Sequence, residues 1–297
     1  MPLHLILPLA AGVVYVVAAL FLKRAGEAGA SVWRTTRICN LFAALFFAPL
    51  WWLGGNMPGM SSWWQPAAVA SIFLLGQILT VLALRTGDVS ITTPVLGLKV
   101  VLVATLTAVL LRESLSIWLW SAAILSSTGV ALMQFGMPRS GNRVGANILL
   151  AGFAAAAYAL FDVLVQKYAA TWGAGRFLPM LMGFASLYSM PFGWQRQATE
   201  SASSKRVTVW VFAGAACLAL QAVMFVSAIA IYRQAAMSNV LYSSRGLWSV
   251  LLVWMAGHWF ENKERQHGSH VLAWRLVASV LVMVAIVLAM RDAQVRV

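Results

Sequence analysis

Ten apolar segments, separated by short polar stretches, constrain this chain more than any other feature of its sequence. A bilayer core about 30 Å thick needs roughly 20 mostly apolar residues per spanning helix, so each segment predicts one membrane-spanning helix. The segments are predicted at residues 5–22, 35–54, 67–84, 90–111, 117–136, 145–166, 176–195, 208–231, 236–258 and 271–290. The sequence therefore predicts an all-α integral membrane protein with ten transmembrane helices.

The composition excludes a soluble fold. Hydrophobic residues make up 61% of the chain and charged residues only 10%, whereas soluble domains carry about 25% charged residues. The net charge of +13 would suit nucleic acid only if it formed a solvated basic face, but the basic residues are scattered at helix ends. Membrane phosphates and topology explain them better. We expect membrane lipids as partners and no nucleic acid.

The chain divides into two halves of five segments. A polar stretch at residues 138–143 separates them, which places a first five-helix repeat at 1–137 and a second at 145–297. Five helices is an odd number, so the second repeat must enter the membrane from the opposite side. The prediction is a pair of inverted repeats related by an axis in the membrane plane, an arrangement found mostly in transporters.

Weak internal similarity accompanies this division. A forward shift of 148 residues aligns three polar positions of the third and fourth helices with identical residues in the second half. The aligned pairs are Arg85 with Arg233, Ser90 with Ser238, and Glu113 with Glu261. The recurrence of Arg and Glu at matching positions favours an internal repeat.

A Glu closes the fourth helix of each half, Glu113 in the first and Glu261 in the second. Together with the five-plus-five plan and the short loops, this resembles the EamA branch of the drug/metabolite transporter superfamily. The resemblance implies a multi-pass carrier in the cell (inner) membrane, with both termini cytoplasmic. The sequence departs from the family at the Gly that usually precedes each Glu, where Arg112 and Phe260 stand. The family's Pro deep in the fourth helix is also missing, and Pro94 lies nearer the helix start.

No catalytic constellation is present, so we expect no enzyme activity and no cofactor. The sequence has neither a Gly-x-Ser-x-Gly elbow nor an ATP-binding phosphate loop. Its four His residues lie at helix ends or in loops. A cluster of His258, Glu261, His267 and His270 could bind a metal, but an interfacial polar loop is the favoured interpretation and no metal site is expected.

Two cations lie near the middle of predicted spans, Lys99 in the fourth and Arg245 in the ninth. Charged side chains at a helix centre cost about 2.5 to 3.5 kcal/mol, and neither residue is close enough to a helix end to reach the surface easily. They would compensate the charge of an anionic substrate. The alternative is an internal salt bridge, but Asp162 is the only acidic residue within a predicted span and can neutralise only one of them.

The two cations do not align. The shift of 148 residues places Arg245 opposite Gly97 and Lys99 opposite Leu247. A difference of two positions rotates a side chain by about 200° around the helix, so either the alignment needs a gap or only one cation lines the site. Arg245 is ranked first, because Tyr242 and the small polar residues beside it form a polar, close-packed helix face.

Other polar residues complete the predicted site. Substrate-binding roles are expected for Tyr242, Tyr15, Tyr158, Gln77 and Gln221 beside the two cations. Asp162 is expected to couple transport to proton movement or to gate it, although its place within two turns of the predicted helix end favours a simple partnership with a basic residue.

The leading hypothesis is a secondary transporter that moves a small anionic or amphipathic metabolite by alternating access, with a midplane site between the repeats, as a monomer or homodimer. A lipid or headgroup translocase is the first alternative and would need a lateral opening. A non-transporting accessory subunit is the second and would need a tightly packed interior. Counts of Lys and Arg give six on the side of the termini and twelve on the other, which favours external termini, against the resemblance.

Overall fold

Every regular element of the described chain is a helix. The structure is a computed structural model that describes residues 2–86, 89–133, 144–192, 205–256 and 269–295. The α-helices are α1 Leu3–Glu27, α2 Val32–Phe47, α3 Trp64–Thr86, α4 Val89–Gly97, α5 Lys99–Leu110, α6 Ile117–Leu132, α7 Val144–Trp172, α8 Ala174–Ser189, α9 Lys205–Tyr232, α10 Ala235–Tyr242, α11 Arg245–Ala256 and α12 Ser269–Val295. Two short 3₁₀ segments, Ala48–Leu53 and Met60–Ser62, join α2 to α3.

Within the described ranges, seven helical segments are long and apolar enough to cross a membrane, which confirms a multi-pass all-α membrane protein. The other three predicted spans do not meet this criterion of length and apolarity, for reasons that the structure shows. Helices α6 and α8 have 16 residues each. At 1.5 Å per residue such a helix is about 24 Å long, shorter than the hydrocarbon core. The predicted ninth span is divided into α10 and α11. The count of ten crossings therefore stays a prediction.

Several helices are longer than their apolar segments. Helix α7 continues to Trp172, whereas the apolar segment predicted an end near residue 166. Asp162 is therefore ten residues from the helix end and lies well inside the bundle. Helix α12 likewise extends to Val295 and includes the buried Asp292, which the apolar pattern had left outside the last span. Backbone hydrogen bonding continues past the apolar stretch because helix formation is cooperative.

The two halves of the chain interlock. Helix α1 packs mainly against α9, α3 against α7, and α6 against α12, so each of these contacts joins one half to the other. Small residues allow the close approach: Ala11, Ala155, Ala215, Ala278 and Ala285 are fully or almost fully buried. Helices α4 and α5 lie against α7, and α10 and α11 lie against α1. The broken helices of each half therefore pack against a helix of the other half.

Candidate functional site

Both intramembrane cations lie where a helix breaks. Lys99 is the first residue of α5, immediately after the interruption at Leu98. Arg245 is the first residue of α11, immediately after the interruption at Ser243 and Ser244. Each cation is therefore the first residue after a helix break, although a shift of 148 residues does not align the two. The structure brings both into one region of the bundle.

A proline accounts for the first break. Pro94 lacks a backbone N–H, and its ring disfavours the carbonyl position four residues earlier, which bends a helix. The turn then tightens, because the Leu98 N–H bonds the Val95 carbonyl three residues back at 3.1 Å. The Gly97 carbonyl accepts a hydrogen bond from the Ser127 hydroxyl of α6 at 3.0 Å. A neighbouring helix thus satisfies a backbone group at the break.

A serine hydroxyl that hydrogen-bonds the backbone accounts for the second break. The Ser243 hydroxyl donates to the Val240 carbonyl at 2.6 Å and so competes with the helical ladder. The Gly246 N–H bonds the Ser243 carbonyl at 3.0 Å, which again is a tight three-residue turn. Small residues on α1 let that helix approach this turn: a methyl carbon on Gly12 would lie 3.2 Å from the Arg245 backbone nitrogen. The backbone at Arg245 is therefore held by this turn and by the packing of α1 against it.

Lys99 has a charged partner. Its Nζ lies 2.8 Å from Asp162 Oδ2, and the Asp162 side chain is only 1% exposed. Asn239 Nδ2 donates to the same carboxylate oxygen at 2.7 Å and to the Ala235 carbonyl at 3.0 Å. Two donors on different helices, α5 and α10, thus hold one carboxylate of α7. The arrangement is a buried ion pair with an additional hydrogen bond.

Arg245 has aromatic partners instead. Its guanidinium carbon lies 4.8 Å from the Tyr15 ring centre and 4.7 Å from the Tyr242 ring centre, both within cation–π range. The two rings meet edge to face at 78°, so they form a corner around the guanidinium. Nη1 donates a long hydrogen bond of 3.4 Å to the Tyr242 hydroxyl. Within the part of the chain that the structure describes, Arg245 forms no ion pair.

Aromatic rings connect the two cations. Phe225 of α9 stacks on Tyr242 with ring centres 4.4 Å apart, and its other neighbour is Lys99, whose Nζ lies 5.3 Å from the Phe225 ring centre. Lys99 also lies 5.8 Å from the Tyr158 ring centre. The site is therefore one continuous cluster of two cations, one carboxylate and four rings.

Six of the predicted site residues belong to this cluster: Arg245, Lys99, Tyr242, Tyr15, Tyr158 and Asp162. The other two predicted residues, Gln77 and Gln221, form no hydrogen bond with a member of the cluster in the described part of the chain. The Gln77 side chain exchanges two hydrogen bonds of 2.9 Å with Asn40, which links α3 to α2. Gln221 is buried in α9, one turn before Phe225. Gln77 shares α3 with Phe73, whose ring contacts Tyr158 of the cluster. Gln221 shares α9 with Phe225, which is itself part of the cluster.

Two residues were missed as site residues: Phe225, which belongs to the cluster, and Asn239, which donates a hydrogen bond to its carboxylate. The sequence alone assigned no role to Asn239 or to Phe225. Asn239 lies four residues after Ala235 on the α10 face that meets Asp162. A search for amides one or two turns from a midplane cation would have singled it out. Nothing in the sequence distinguishes Phe225 from the other 13 Phe residues.

The Glu that closes the fourth helix has a structural partner. Glu113 Oε1 accepts a hydrogen bond from Gln166 Nε2 at 2.8 Å, and Gln166 Oε1 accepts the backbone N–H of Ala235 at 2.8 Å. Gln166 therefore links the end of α5 to the start of α10. Because Gln166 lies one helical turn beyond Asp162, α7 contacts the broken helix of the second half at two successive positions.

Among the described residues no group of His, Cys, Asp and Glu side chains could hold a metal ion. The polar cluster named from the sequence is not covered by this statement. His258, Glu261 and His267 lie outside the described residues, and the same holds for the His270 side chain. The cation and ring cluster contains no metal-ligating set, and what it offers chemically is charge compensation and ring packing.

Comparison with known proteins agrees with the fold and the class. Residues 3–135 match the EamA-like transporter family, which confirms the resemblance found in the sequence. A solved structure described as a crystal structure of a protein is similar over 97% of this chain and 98% of its own, with a TM-score of 0.67 and 15% identity. At that identity the likeness shows the fold alone. No curated protein matches the sequence significantly.

Proposed function

We propose that this chain, whose residues 3–135 match the EamA-like transporter family, is a secondary carrier of a small organic anion or anionic amphipathic metabolite. The binding site is the cluster around Arg245 and Lys99, at the level where two helices break. Discontinuous helices near the midplane are the usual place for substrate in carriers of this kind. The carrier works by alternating access and lies in the cell (inner) membrane.

One observation carries the proposal. Asp162 neutralises Lys99, but Arg245 has rings and a phenol as its contacts and no carboxylate among the described residues. An uncompensated cation inside a membrane is costly unless a ligand or water meets it. An anionic substrate at Arg245 would supply the missing charge and the missing hydrogen-bond acceptors.

The packing of the halves supports the inverted repeats that alternating access requires. If residues 1–137 and 145–297 are equivalent, the first span corresponds to the sixth and the third to the eighth. The contact of α1 with α9 then corresponds to the contact of α7 with α3, and both pairs are closely packed. The fifth span corresponds to the tenth, so the contact between α6 and α12 corresponds to itself. Reciprocal pairing of this kind favours a two-fold relation between the repeats, and an odd number of helices per repeat would place its axis in the membrane plane.

The remaining residues have supporting roles in this proposal. Tyr15, Tyr158 and Tyr242 shape the wall of the site, and Lys99 adds a donor to the bound anion. Asp162 gates, because its carboxylate joins Lys99 of α5 to Asn239 of α10 and so couples the two broken helices. Gln77 and Gln221 form the polar border beyond the rings.

A retention assay with a mixture of candidate substrates tests the function. Proteoliposomes are loaded with organic acids, phosphorylated metabolites, neutral compounds and amines, and the retained compounds are measured by mass spectrometry over time. We expect one or more organic anions to leave vesicles that contain the parent protein. The same anions should stay in vesicles that contain Arg245→Gln.

Arg291→Gln is the matched control. Arg291 also stacks on a ring, with its guanidinium carbon 4.4 Å from the Trp118 ring centre, but it is exposed near the end of α12. The substitution removes the same charge and the same kind of contact outside the site. Efflux of neutral compounds or amines alone, or equal loss of anion efflux in both variants, would contradict the proposal.

A further inference from the structure

We infer that the site takes a singly charged organic acid with an apolar body, and discriminates against dianions. This inference rests on the proposed function and specifies its substrate class. It depends on the charges that the structure brings together, on how firmly Asp162 is held, and on the surface that surrounds Arg245.

The charges of the cluster sum to a single positive charge. Lys99 and Arg245 each carry one positive charge, and Asp162 carries one negative charge. All three belong to the same connected set of contacts, in which Phe225 and Tyr242 join the two cations. A bound monoanion makes the cluster neutral, whereas a dianion leaves a net negative charge in a low-dielectric interior.

Asp162 cannot easily leave the cluster to make room for a second negative charge. Its Oδ2 accepts from Lys99 at 2.8 Å and from Asn239 at 2.7 Å, and the side chain is 1% exposed. The carboxylate is thus held by two helices besides its own. A carboxylate so fixed continues to neutralise Lys99 when substrate binds, so the ammonium contributes a donor to the substrate but no net charge.

The surroundings of Arg245 favour a ligand with an apolar body. Tyr15 and Tyr242 flank the guanidinium at 4.8 and 4.7 Å, and both Tyr15 and Tyr158 remain partly exposed. A guanidinium accepts a carboxylate side by side through two parallel N–H donors. Groups beyond that carboxylate would then meet ring faces rather than polar side chains, and such contact favours apolar or aromatic bodies.

Head-group variants of one phenyl compound test the charge preference. The probes are phenylphosphonate, which carries two charges in mildly alkaline buffer, and its monomethyl ester, which carries one. Phenylacetate and acetate form a second pair, which differs in the apolar body. Dissociation constants are measured by calorimetry on the purified protein. We expect the monomethyl ester to bind at least about tenfold more tightly than phenylphosphonate, and phenylacetate more tightly than acetate.

Two charge variants sharpen the test. Asp162→Asn keeps a hydrogen-bonding side chain beside Lys99 and Asn239 but raises the net charge of the cluster by one. It should therefore reverse the preference, so that phenylphosphonate binds more tightly than its monomethyl ester. The double variant Lys99→Met with Asp162→Asn removes both charges of the pair and restores the original sum. It should keep the monoanion preference, and it tests the inference independently if Asp162→Asn does not fold.

The outcomes separate this inference from the proposed function. A monoanion preference that persists in the double variant supports the inference, and its reversal in Asp162→Asn strengthens it. Tighter binding of phenylphosphonate to the parent protein, lost in Arg245→Gln, would overturn the inference and leave the anion carrier intact. Binding of none of the anions, or equal binding by the parent and Arg245→Gln, would overturn both.

Discussion

The two broken helices place a cation at the same position and satisfy it in different ways. Lys99, at the start of α5, is paired with a carboxylate that is itself held by Asn239. Arg245, at the start of α11, lies in a corner of two tyrosine rings and has no ion pair within the described ranges. The charge at the first break is therefore neutralised without a ligand. The second offers an unneutralised charge and unused N–H donors, which is the property a binding site needs.

The largest effect on stability is expected at the paired cation. Lys99→Ala leaves the buried Asp162 carboxylate without its countercharge, and removal of one partner from a buried pair costs about 3–5 kcal/mol. The measurement is the free energy of unfolding in mixed micelles. The double variant Lys99→Met with Asp162→Asn should recover most of that loss, because neither charge remains. If Lys99→Ala lowered the free energy of unfolding less than Arg245→Gln, the proposed difference between the two cations would be wrong.

The packing around the two breaks should also differ. A methyl carbon on Gly97 would lie 2.7 Å from Val130 Cγ1, and the short branched side chain has little freedom to move away. Gly97→Ala should therefore destabilise the protein by about 1–3 kcal/mol. The matched Gly246→Ala meets only the sulfur end of Met133, at 2.6 Å, which can rotate aside. Thermal unfolding of both variants checks this, and equal losses would be evidence against the difference in packing.

Arg245→Gln should have a modest effect on stability. The variant loses two cation–π contacts, each worth about 2 kcal/mol when desolvated, but the expected net loss is only about 1–2 kcal/mol. The net loss is smaller because the variant also removes an uncompensated charge. Unfolding under the same conditions as Lys99→Ala gives the comparison directly. A loss as large as that of Lys99→Ala would indicate that Arg245 is a structural cation.

The smallest effect is expected at the hydroxyls of the breaks. Ser127→Ala removes the hydrogen bond to the Gly97 carbonyl, and Ser243→Ala removes the bond to the Val240 carbonyl. Hydrogen bonds between membrane helices average about 0.6 kcal/mol, which is the loss expected for Ser127→Ala. Ser243→Ala should cost less, because its hydroxyl bonds its own turn and competes with the helical ladder. A larger loss for Ser243→Ala would reverse this order.

Much of the fold followed from the sequence, and the structure brings the two cations that the sequence singled out into one cluster. Apolar segments predict membrane helices reliably, because every backbone polar group in a bilayer must be satisfied within the helix. Lys99 and Arg245 were singled out by their distance from the ends of the apolar segments, and Asp162 was a candidate partner because it is the only acidic residue in a predicted span. The pairing with Lys99 rather than Arg245 depended on tertiary packing.

The register of the breaks could not be read from the sequence. The first break occupies one residue, Leu98, and the second occupies two, Ser243 and Ser244. Identity matches elsewhere fix a shift of 148, whereas Lys99 and Arg245 differ by 146 positions. Because one break results from a proline and the other from serines, no shared residue marks their equivalence.

A family departure is explained by backbone geometry. Arg112 replaces the Gly that usually precedes the closing Glu of the fourth helix, and it adopts a φ of 56°. This is the left-handed conformation that favours glycine at the end of a helix. The turn is thus formed without the residue that usually signals it. The corresponding Phe260 lies outside the described residues.

The central claim is that Arg245 provides the anion site, and ligand-induced thermal stabilisation tests it most directly. The purified parent protein, Arg245→Gln and Arg291→Gln are each measured against organic acids, amino acids, phosphorylated metabolites and lipid headgroups. We predict that at least one anion raises the melting temperature of the parent protein and of Arg291→Gln, but not that of Arg245→Gln. Equal stabilisation of all three proteins by anions, or stabilisation by neutral and cationic compounds alone, would contradict the account.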